Sequence, residues 1–238
     1  MDRDIDTNLK ELQASINYHF KDIYLLREAL THKSFAHEQP GTRSIGNERL
    51  EFLGDAVLEL SITHILMERF PDYSEGTLTK LRAGIVNREG IAAVAKALNL
   101  GQYILLGRGE EGSRGRVKNS ILANTYEALI AAVYYDGGYE RVFKLVENQF
   151  SQLIYEVAEK GMSRDYKTRL QEYSQSTLGS VPEYVVVREE GPDHEKIFEV
   201  YVTINSVQYE TGRGSNKKAA EQEAARRALA KLKNEDHE

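Results

Sequence analysis

The chain has 238 residues, of which 41% are hydrophobic and 29% are charged, with a net charge of −6 and no cysteine. This size and composition predict a globular protein of one large or two modest domains, and the lack of cysteine excludes disulfide bonds and thiolate metal ligands. The acidic start is unlike a signal peptide, and no apolar run approaches the roughly 20 residues of a membrane span. We therefore expect a soluble, cytoplasmic protein that does not contact a membrane.

Residues 8 to about 158 predict one helix after another. Apolar residues recur at spacings of three and four in the segments that begin at Leu25, Leu50, Leu78 and Ile121. Proline and glycine residues separate these segments, and no strand pattern lies between them. The sequence therefore predicts an all-α domain over residues 1–158.

The pattern changes after a small, polar stretch that we interpret as a linker over residues 159–164. A helix over 166–178 precedes three strand-like runs that begin at residues 183, 195 and 206. An Ala-rich amphipathic helix follows, with Ser215 or Asn216 as its N-cap. The order α-β-β-β-α predicts a small α+β domain over residues 165–234, followed by an acidic tail over 235–238.

Several carboxylates share one helical segment of the first domain. Glu48, Glu51 and Asp55 are three and four residues apart, so their side chains share one face of a helix. Alone, this pattern is typical of a solvated acidic face. A second helical segment presents Asn124 and Glu127 one turn apart, and the two helices together could enclose a metal ion. Oxygen ligands without cysteine favour Mg²⁺ over zinc.

The stretch 47-NERLEFLGDAVL-58 resembles the signature of ribonuclease III, an endonuclease that cuts double-stranded RNA. Residues 17–34 resemble the N-terminal helices of that family, and residues 121–138 its second acidic motif. Residues 165–233 resemble its double-stranded-RNA-binding domain. The resemblance therefore covers nearly the whole chain.

The resemblance implies a homodimer that hydrolyses double-stranded RNA during ribosomal and other RNA processing, leaving 5′-phosphate and 3′-hydroxyl ends. By position, Glu51, Asn124 and Glu127 would hold Mg²⁺, with Mn²⁺ as an alternative ion. Asp55 and Glu127 would act in catalysis. Glu48 and Glu75 match further acidic positions of the shared valley. Phe52 matches an aromatic that packs into the partner subunit, although an ordinary core position explains it equally well.

The chain departs from the family at position 124, where an aspartate is usual. Asn124 offers one neutral carbonyl oxygen in place of a charged carboxylate. At about 4 Å and an effective dielectric near 20, that charge facing a divalent ion is worth up to roughly 8 kcal/mol before desolvation is subtracted. We therefore expect a protein that folds, dimerises and binds RNA but cleaves poorly.

The amide also supports an alternative function, a catalytically inactive protein that binds double-stranded RNA and keeps the nuclease fold. An engineered substitution or natural drift would each account for Asn124. The retained carboxylates Glu51, Asp55 and Glu127 favour an enzyme as the parent protein, because an inactive relative has no physical need for them.

Three regions of the second domain are expected to contact RNA, because such domains recognise the shape of the A-form duplex. Residues 164–233 carry 12 Lys and Arg against 11 Asp and Glu, so any RNA surface must be a local patch. Each region alone is typical of solvated surface, but together they match the family. The expected contacts are Thr168, Gln171, Glu172 and Gln175 in the first helix, His194 in the loop 191–195, and Ser215, Asn216, Lys217 and Lys218 at the start of the last helix.

Two further features of the sequence give weaker indications of function. The segment 107–118 contains Gly-x-Gly but lacks the remainder of a phosphate-binding or dinucleotide motif, so no small-molecule cofactor is expected. We interpret it as an exposed, mobile loop with four candidate RNA-backbone contacts: Arg108, Arg114, Arg116 and Lys118. His32 and His64 are expected to be buried or capping residues.

Overall fold

In the computed structural model, the backbone is described for residues 2–38, 46–162, 166–192 and 195–235, and side chains are described for 9–38, 46–159, 166–192 and 195–232. Contacts divide the chain into two units, Met1–Val157 and Ala158–Glu238. Within the described residues, no helix is long and apolar enough to cross a membrane.

The first unit consists of helices, which confirms the predicted fold class. The helices are α1 (Asp2–Ser15), α2 (Ile23–Ala29), α3 (Lys33–His37), α4 (Glu48–Arg69), α5 (Glu75–Ile85), α6 (Arg88–Ala97), α7 (Arg108–Gly112), α8 (Asn119–Gly137) and α9 (Tyr139–Met162). Short 3₁₀ helices cover Leu100–Tyr103 and Gly115–Val117. Among its described residues, β pairing is limited to one isolated bridge between Thr31 and Leu105.

Helix α8 lies at the centre of this unit and packs against α4. It is apolar on most sides, and its buried residues are Ile121, Leu122, Ala123, Thr125, Tyr126, Ala128, Leu129, Ile130, Ala131, Ala132 and Val133. Helix α4 is amphipathic and buries Leu50, Val57 and Leu58. The two backbones touch at Gly54, where a Cβ atom would lie 1.7 Å from the carbonyl oxygen of Glu127. Residue 54 must therefore lack a side chain for the helices to cross this closely.

The end of α8 is tied to the segment before α2 by one carboxylate. Asp136 accepts hydrogen bonds from the Tyr18 hydroxyl at 2.6 Å and from the backbone N–H groups of Lys21 at 3.0 Å and Asp22 at 2.8 Å. Burial alone would raise the pKa of Asp136, but these hydrogen bonds lower it below its usual range. The charged carboxylate thus stabilises the turn that leads into α2.

The second unit has the predicted order α-β-β-β-α. Helix α10 (Tyr166–Leu178) precedes an antiparallel sheet of β1 (Glu183–Glu190), β2 (Ile197–Ile204) and β3 (Val207–Gly214), and α11 (Lys217–Glu235) follows. Its core consists of Leu170, Val202, Ile204, Ala224, Ala225, Ala228, Leu229 and Leu232. Helix α11 lies close to β3, because a Cβ atom on Gly212 would be only 2.2 Å from the backbone nitrogen of Ala224.

Strand β1 forms an edge of this sheet. Its register against β2 shifts between Val186 and Arg188, so Val187 is an extra residue in β1. Such a bulge interrupts the regular row of backbone donors and acceptors on an edge strand.

The first part of the predicted linker is helical. Helix α9 continues to Met162 and therefore includes residues 159–162. A single glycine costs a helix only about 1 kcal/mol, so Gly161 is too weak a signal to end it. Residues 163–165 lie outside the described part of the chain.

The expectation of a mobile loop over 107–118 is wrong, because this segment contains α7 and a 3₁₀ helix. Arg116 donates a hydrogen bond to the carbonyl oxygen of Ile104 at 2.8 Å and also reaches the preceding turn. Lys118 donates to the Glu110 carboxylate at 2.7 Å. Arg116 thus joins the segment to the preceding turn and Lys118 pairs within it, which argues against both as RNA contacts. Arg108 and Arg114 are exposed.

Candidate active site and RNA-binding surface

The structure brings the two acidic motifs together where α4 and α8 cross. Glu51 and Asp55 lie on α4 on either side of Gly54, which touches the backbone of Glu127. Asn124 lies one turn before Glu127 on α8. Glu51, Asn124 and Glu127 are partly buried, whereas Asp55 is exposed. The helix crossing therefore gathers the residues predicted to bind metal and act in catalysis.

Two carboxyl groups of this cluster are perturbed. The pKa of Glu127 is raised to about 7, mainly by burial and also by the negative charges of the nearby Asp55 and Glu51. Burial also raises the pKa of Glu51, with added repulsion from Glu48 and Asp55. Burial and nearby negative charge both disfavour the ionised form of Glu51 and Glu127. A cation at this place would relieve both costs.

The side chain of Asn124 contacts Glu51. Its hydrogen bond to Glu51 lowers the pKa of that carboxyl group and opposes part of the effect of burial. The amide thus partly satisfies Glu51 without adding charge. Asn124 and Glu51 are therefore close enough to act on one ligand together.

A divalent metal ion fits the chemistry of these donors. Glu51, Asn124 and Glu127 offer oxygen atoms, which are the ligands of Mg²⁺ and Mn²⁺. In the described part of the chain, no three Asp, Glu or His side chains form a group that could hold a metal ion by themselves. The amide oxygen of Asn124 would be the third protein donor beside the carboxylates of Glu51 and Glu127.

A lysine that the sequence analysis did not single out lies beside the cluster. The Lys33 ammonium donates a hydrogen bond to Glu48 Oε1 at 2.9 Å. This bond lowers the pKa of Glu48 and raises that of Lys33. The two residues are 15 positions apart, a separation that follows no helix or strand period, so the pattern does not predict this pair. The position of a lysine shortly before an acidic motif is the signal that could have suggested it.

Two predicted residues lie apart from these contacts. Glu75 is exposed at the start of α5 and accepts a hydrogen bond from the Thr79 hydroxyl at 2.9 Å. It is not among the groups that shift the pKa of Glu51 or Glu127. The side chain of Phe52 is 84% exposed, so its interpretation as an ordinary core residue is wrong for this chain.

The predicted histidines differ from each other. His32 caps α3 by accepting a hydrogen bond from the backbone N–H of Ser34, as expected. His64 is about half exposed and lies 3.3 Å from Glu68. Its ring stacks near Tyr139, so it is a surface residue rather than a buried or capping one.

In the second unit, the predicted RNA contacts of α10 lie on the surface. Gln171, Glu172 and Gln175 are exposed, and Thr168 is partly buried. Their shared spacing places them along one side of α10. His194, the predicted contact in the loop 191–195, lies outside the described residues.

The start of α11 is also exposed at Ser215, Asn216, Lys217 and Lys218. Asn216 is the N-cap, because its Oδ1 atom accepts a hydrogen bond from the backbone N–H of Ala219 at 2.9 Å. Lys217 forms an ion pair with Glu189 at 3.0 Å. An exposed ion pair contributes little free energy, so a phosphate could replace Glu189.

Comparison with known proteins identifies both units. Residues 22–154 match the family model described as Ribonuclease-III-like, and residues 166–232 match the double-stranded RNA binding motif. The chain is 47% identical over 225 residues to Ribonuclease 3 of Syntrophobacter fumaroxidans, covering 93% of each protein. It is 48% identical over 224 residues to Ribonuclease 3 of Caldanaerobacter subterraneus, covering 94% of this chain and 98% of the relative.

A solved structure resembles the first unit. The nuclease domain of ribonuclease III from Campylobacter jejuni is 44% identical and has a TM-score of 0.55, covering 60% of this chain and 99% of that domain. That structure shows flexibility in a region involved in dimer formation of the nuclease domain. With both domains matched and relatives nearly half identical along most of its length, the chain belongs to the ribonuclease III family of endoribonucleases, which bind double-stranded RNA.

Proposed function

We propose that this chain is a Mg²⁺-dependent endonuclease that cuts double-stranded RNA and leaves 5′-phosphate and 3′-hydroxyl ends. Enzymes of this family use a divalent metal ion. The observation that carries the choice of site is the pair of partly buried carboxyl groups with raised pKa values, Glu51 and Glu127, at the crossing of α4 and α8. Perturbed groups of this kind cluster at functional sites.

In this proposal, Glu51, Asn124 and Glu127 hold the metal ion. When bound, Mg²⁺ would lower the pKa of a water molecule and offset negative charge on the scissile phosphate. Glu127 must be deprotonated to act as a ligand, and its pKa of about 7 means that protons compete for it near neutral pH. Asp55 is exposed beside Glu127 and would orient the attacking water by accepting a hydrogen bond from it.

We propose that Asn124 slows cleavage without disturbing the fold. Asparagine and aspartate have nearly the same shape, but the amide supplies no negative charge toward the metal ion. The test compares Mg²⁺-dependent cleavage of an RNA duplex by the unmodified chain and by Asn124→Asp, with Glu51→Gln as an inactive control. We expect Asn124→Asp to be faster by at least about tenfold, which is only about 1.4 kcal/mol of the charge effect.

The same experiment decides between the two functions. Equal cleavage rates for the unmodified chain and Asn124→Asp would refute the role given to the amide. Tight duplex binding with no cleavage by the unmodified chain would favour the alternative, a protein that binds double-stranded RNA without cutting it. Restored cleavage in Asn124→Asp would then show that the amide alone separates the two functions.

The domain boundaries are proposed as 1–158 for the nuclease and dimerisation domain and 165–234 for the RNA-binding domain, followed by the tail 235–238. The matched regions, 22–154 and 166–232, fall inside these limits and support them. Limited proteolysis with mass spectrometry of the fragments tests the proposal. Cleavage concentrated within 20–150 would contradict it.

We also propose a homodimer that uses an apolar stripe on α4. Phe52, Leu60 and Met67 have exposed fractions of 84%, 55% and 60%, and their spacing places them on one side of the helix. A cavity of about 420 Å³ lined in part by Met67 and Tyr73 is the candidate receptor for Phe52 of a second copy. Exposed apolar surface of this kind is typical of association sites.

The dimer is tested by light scattering coupled to size-exclusion chromatography. Phe52→Asp should convert a dimer into a monomer, because a charge would be buried at the interface. Tyr24→Asp is a matched control, since Tyr24 is an exposed aromatic of α2 at 72% and lies outside the stripe. A dimer that survives Phe52→Asp, or a monomeric unmodified chain, would contradict the proposal.

A further inference from the structure

Lys33 places a positive charge at the edge of the acidic cluster. Its ammonium donates to Glu48 Oε1 at 2.9 Å, and its charge also lowers the pKa of Glu51. The side chains of Lys33 and Glu48 are 52% and 54% exposed. The lysine therefore borders both the proposed metal ligands and the solvent from which RNA would approach.

The backbone that carries Lys33 is held in place from several sides. His32 caps α3, and the Ser34 hydroxyl accepts a hydrogen bond from the backbone N–H of Gly107 at 2.9 Å. Gly46 packs directly on it, because a Cβ atom at residue 46 would lie 3.0 Å from the Lys33 Cα atom. The side chain thus extends from a fixed point, while its end remains in solvent.

The ion pair with Glu48 is easily exchanged. An exposed pair of this kind adds little to stability, because water screens it and two long side chains lose freedom. A phosphate is a good competitor for the ammonium, since it offers several charged oxygen atoms. An RNA strand must also bring its phosphates against a group of carboxylates, which repel them unless a cation is close.

We propose that Lys33 is an RNA-binding residue of the nuclease domain, which is paired with Glu48 in the free protein and moves to a backbone phosphate when RNA arrives. This inference rests on the proposed nuclease function, because it assumes that RNA lies over the acidic cluster. It assigns Glu48 the role of holding Lys33 at the cluster before binding. Lys33 has an anionic partner before and after the exchange, because a phosphate replaces the Glu48 carboxylate.

The test measures duplex RNA binding by the full chain at several salt concentrations, without divalent ions, for Lys33→Met, Lys33→Arg and Glu48→Gln. Lys33→Met should weaken binding up to about fivefold, as expected for one exposed charged contact, and should lower the salt slope by about one. Lys33→Arg should retain both values. Glu48→Gln should bind RNA as tightly as the unmodified chain or more tightly, because it frees the lysine.

A second measurement uses Mn²⁺ binding without RNA, followed by electron paramagnetic resonance. Lys33→Met should bind Mn²⁺ more tightly, since it removes a repelling charge, and Lys144→Met on α9 is the exposed-lysine control. A purely structural ion pair predicts a different result: Lys33→Met and Glu48→Gln would weaken RNA binding alike. That result, or an unchanged salt slope in Lys33→Met, would overturn the proposal.

The Mn²⁺ measurement also separates this inference from the proposed function. If the unmodified chain and Glu51→Gln show the same lack of Mn²⁺ binding, the proposed metal site fails, whereas the RNA titration without divalent ions still decides the assignment of Lys33. If the unmodified chain binds Mn²⁺ and RNA but Lys33→Met behaves like Lys144→Met in both assays, only the assignment of Lys33 fails.

Discussion

Replacing Glu127 by glutamine should stabilise the protein in the absence of divalent ions. The pKa of this carboxyl group rises from 4.5 to about 7 on folding, so the folded state holds its proton more tightly than the unfolded state does. Stability from this proton is therefore complete below pH 4.5 and is lost as the pH rises to 7. The shift corresponds to at most about 3 kcal/mol, since one pKa unit is worth about 1.4 kcal/mol, and solvent screening of this partly exposed group reduces it to about 2 kcal/mol. Glutamine resembles the protonated acid and avoids this loss at any pH.

The assay is urea denaturation with a chelator present, at pH 8 and at pH 5. Glu127→Gln should raise the free energy of unfolding by about 2 kcal/mol at pH 8 and by less than about 1 kcal/mol at pH 5. Glu59→Gln, an exposed carboxylate change on α4, is the control and should have little effect at either pH. A destabilised Glu127→Gln, or an equal gain at both pH values, would refute the reasoning.

Three further outcomes are expected. Gly54→Ala should destabilise the protein by at least about 3 kcal/mol in urea denaturation, because the new methyl group would meet the backbone of α8. The control Gly76→Ala should be neutral or slightly stabilising, because nothing lies within 4 Å of its new methyl group. Similar losses for both variants would contradict the helix contact. Asp136→Asn should lower the free energy of unfolding by about 1–3 kcal/mol at pH 7. The difference from the unmodified chain should shrink as the pH falls through the lowered pKa of Asp136, so a difference that grows toward low pH would contradict the role of this carboxylate. Changing both Lys217 and Lys218 to Glu should weaken duplex RNA binding and flatten its salt dependence; an unaltered salt slope in a filter-binding titration would argue against this surface.

Much of the fold could be predicted because most elements are long enough for their periodicity to be read. The helix expected over 166–178 is observed as Tyr166–Leu178, and the three strands lie within the predicted runs. The segment 107–118 failed because α7 has only five residues and the adjoining 3₁₀ helix three. Elements of that size carry no period, and the hydrogen bonds of Arg116 to distant carbonyl oxygens are invisible in the sequence.

The candidate site, like the fold, could be predicted from the sequence only in part. The spacing of Glu48, Glu51 and Asp55 predicts a shared helix face, but only the family resemblance linked that face to Glu127. The raised pKa of Glu127 depends on burial beneath a neighbouring helix, which no local pattern reports. The pairing of Lys33 with Glu48 likewise depends on how the first residues of α3 and α4 meet in space.

The backbone contact at Gly54 also bears on how this architecture tolerates change in length. Helices α4 and α8 are fixed against each other by main-chain atoms, whereas the chain between them runs through residues 70–118. Insertions or deletions in the connecting loops of that stretch can alter the surface while leaving the spacing between Glu51 and Glu127 unchanged. Main-chain atoms, and not the side chains of the acidic cluster, hold the two helices together at this point. An amide can therefore occupy position 124 while the neighbouring carboxylates remain in place.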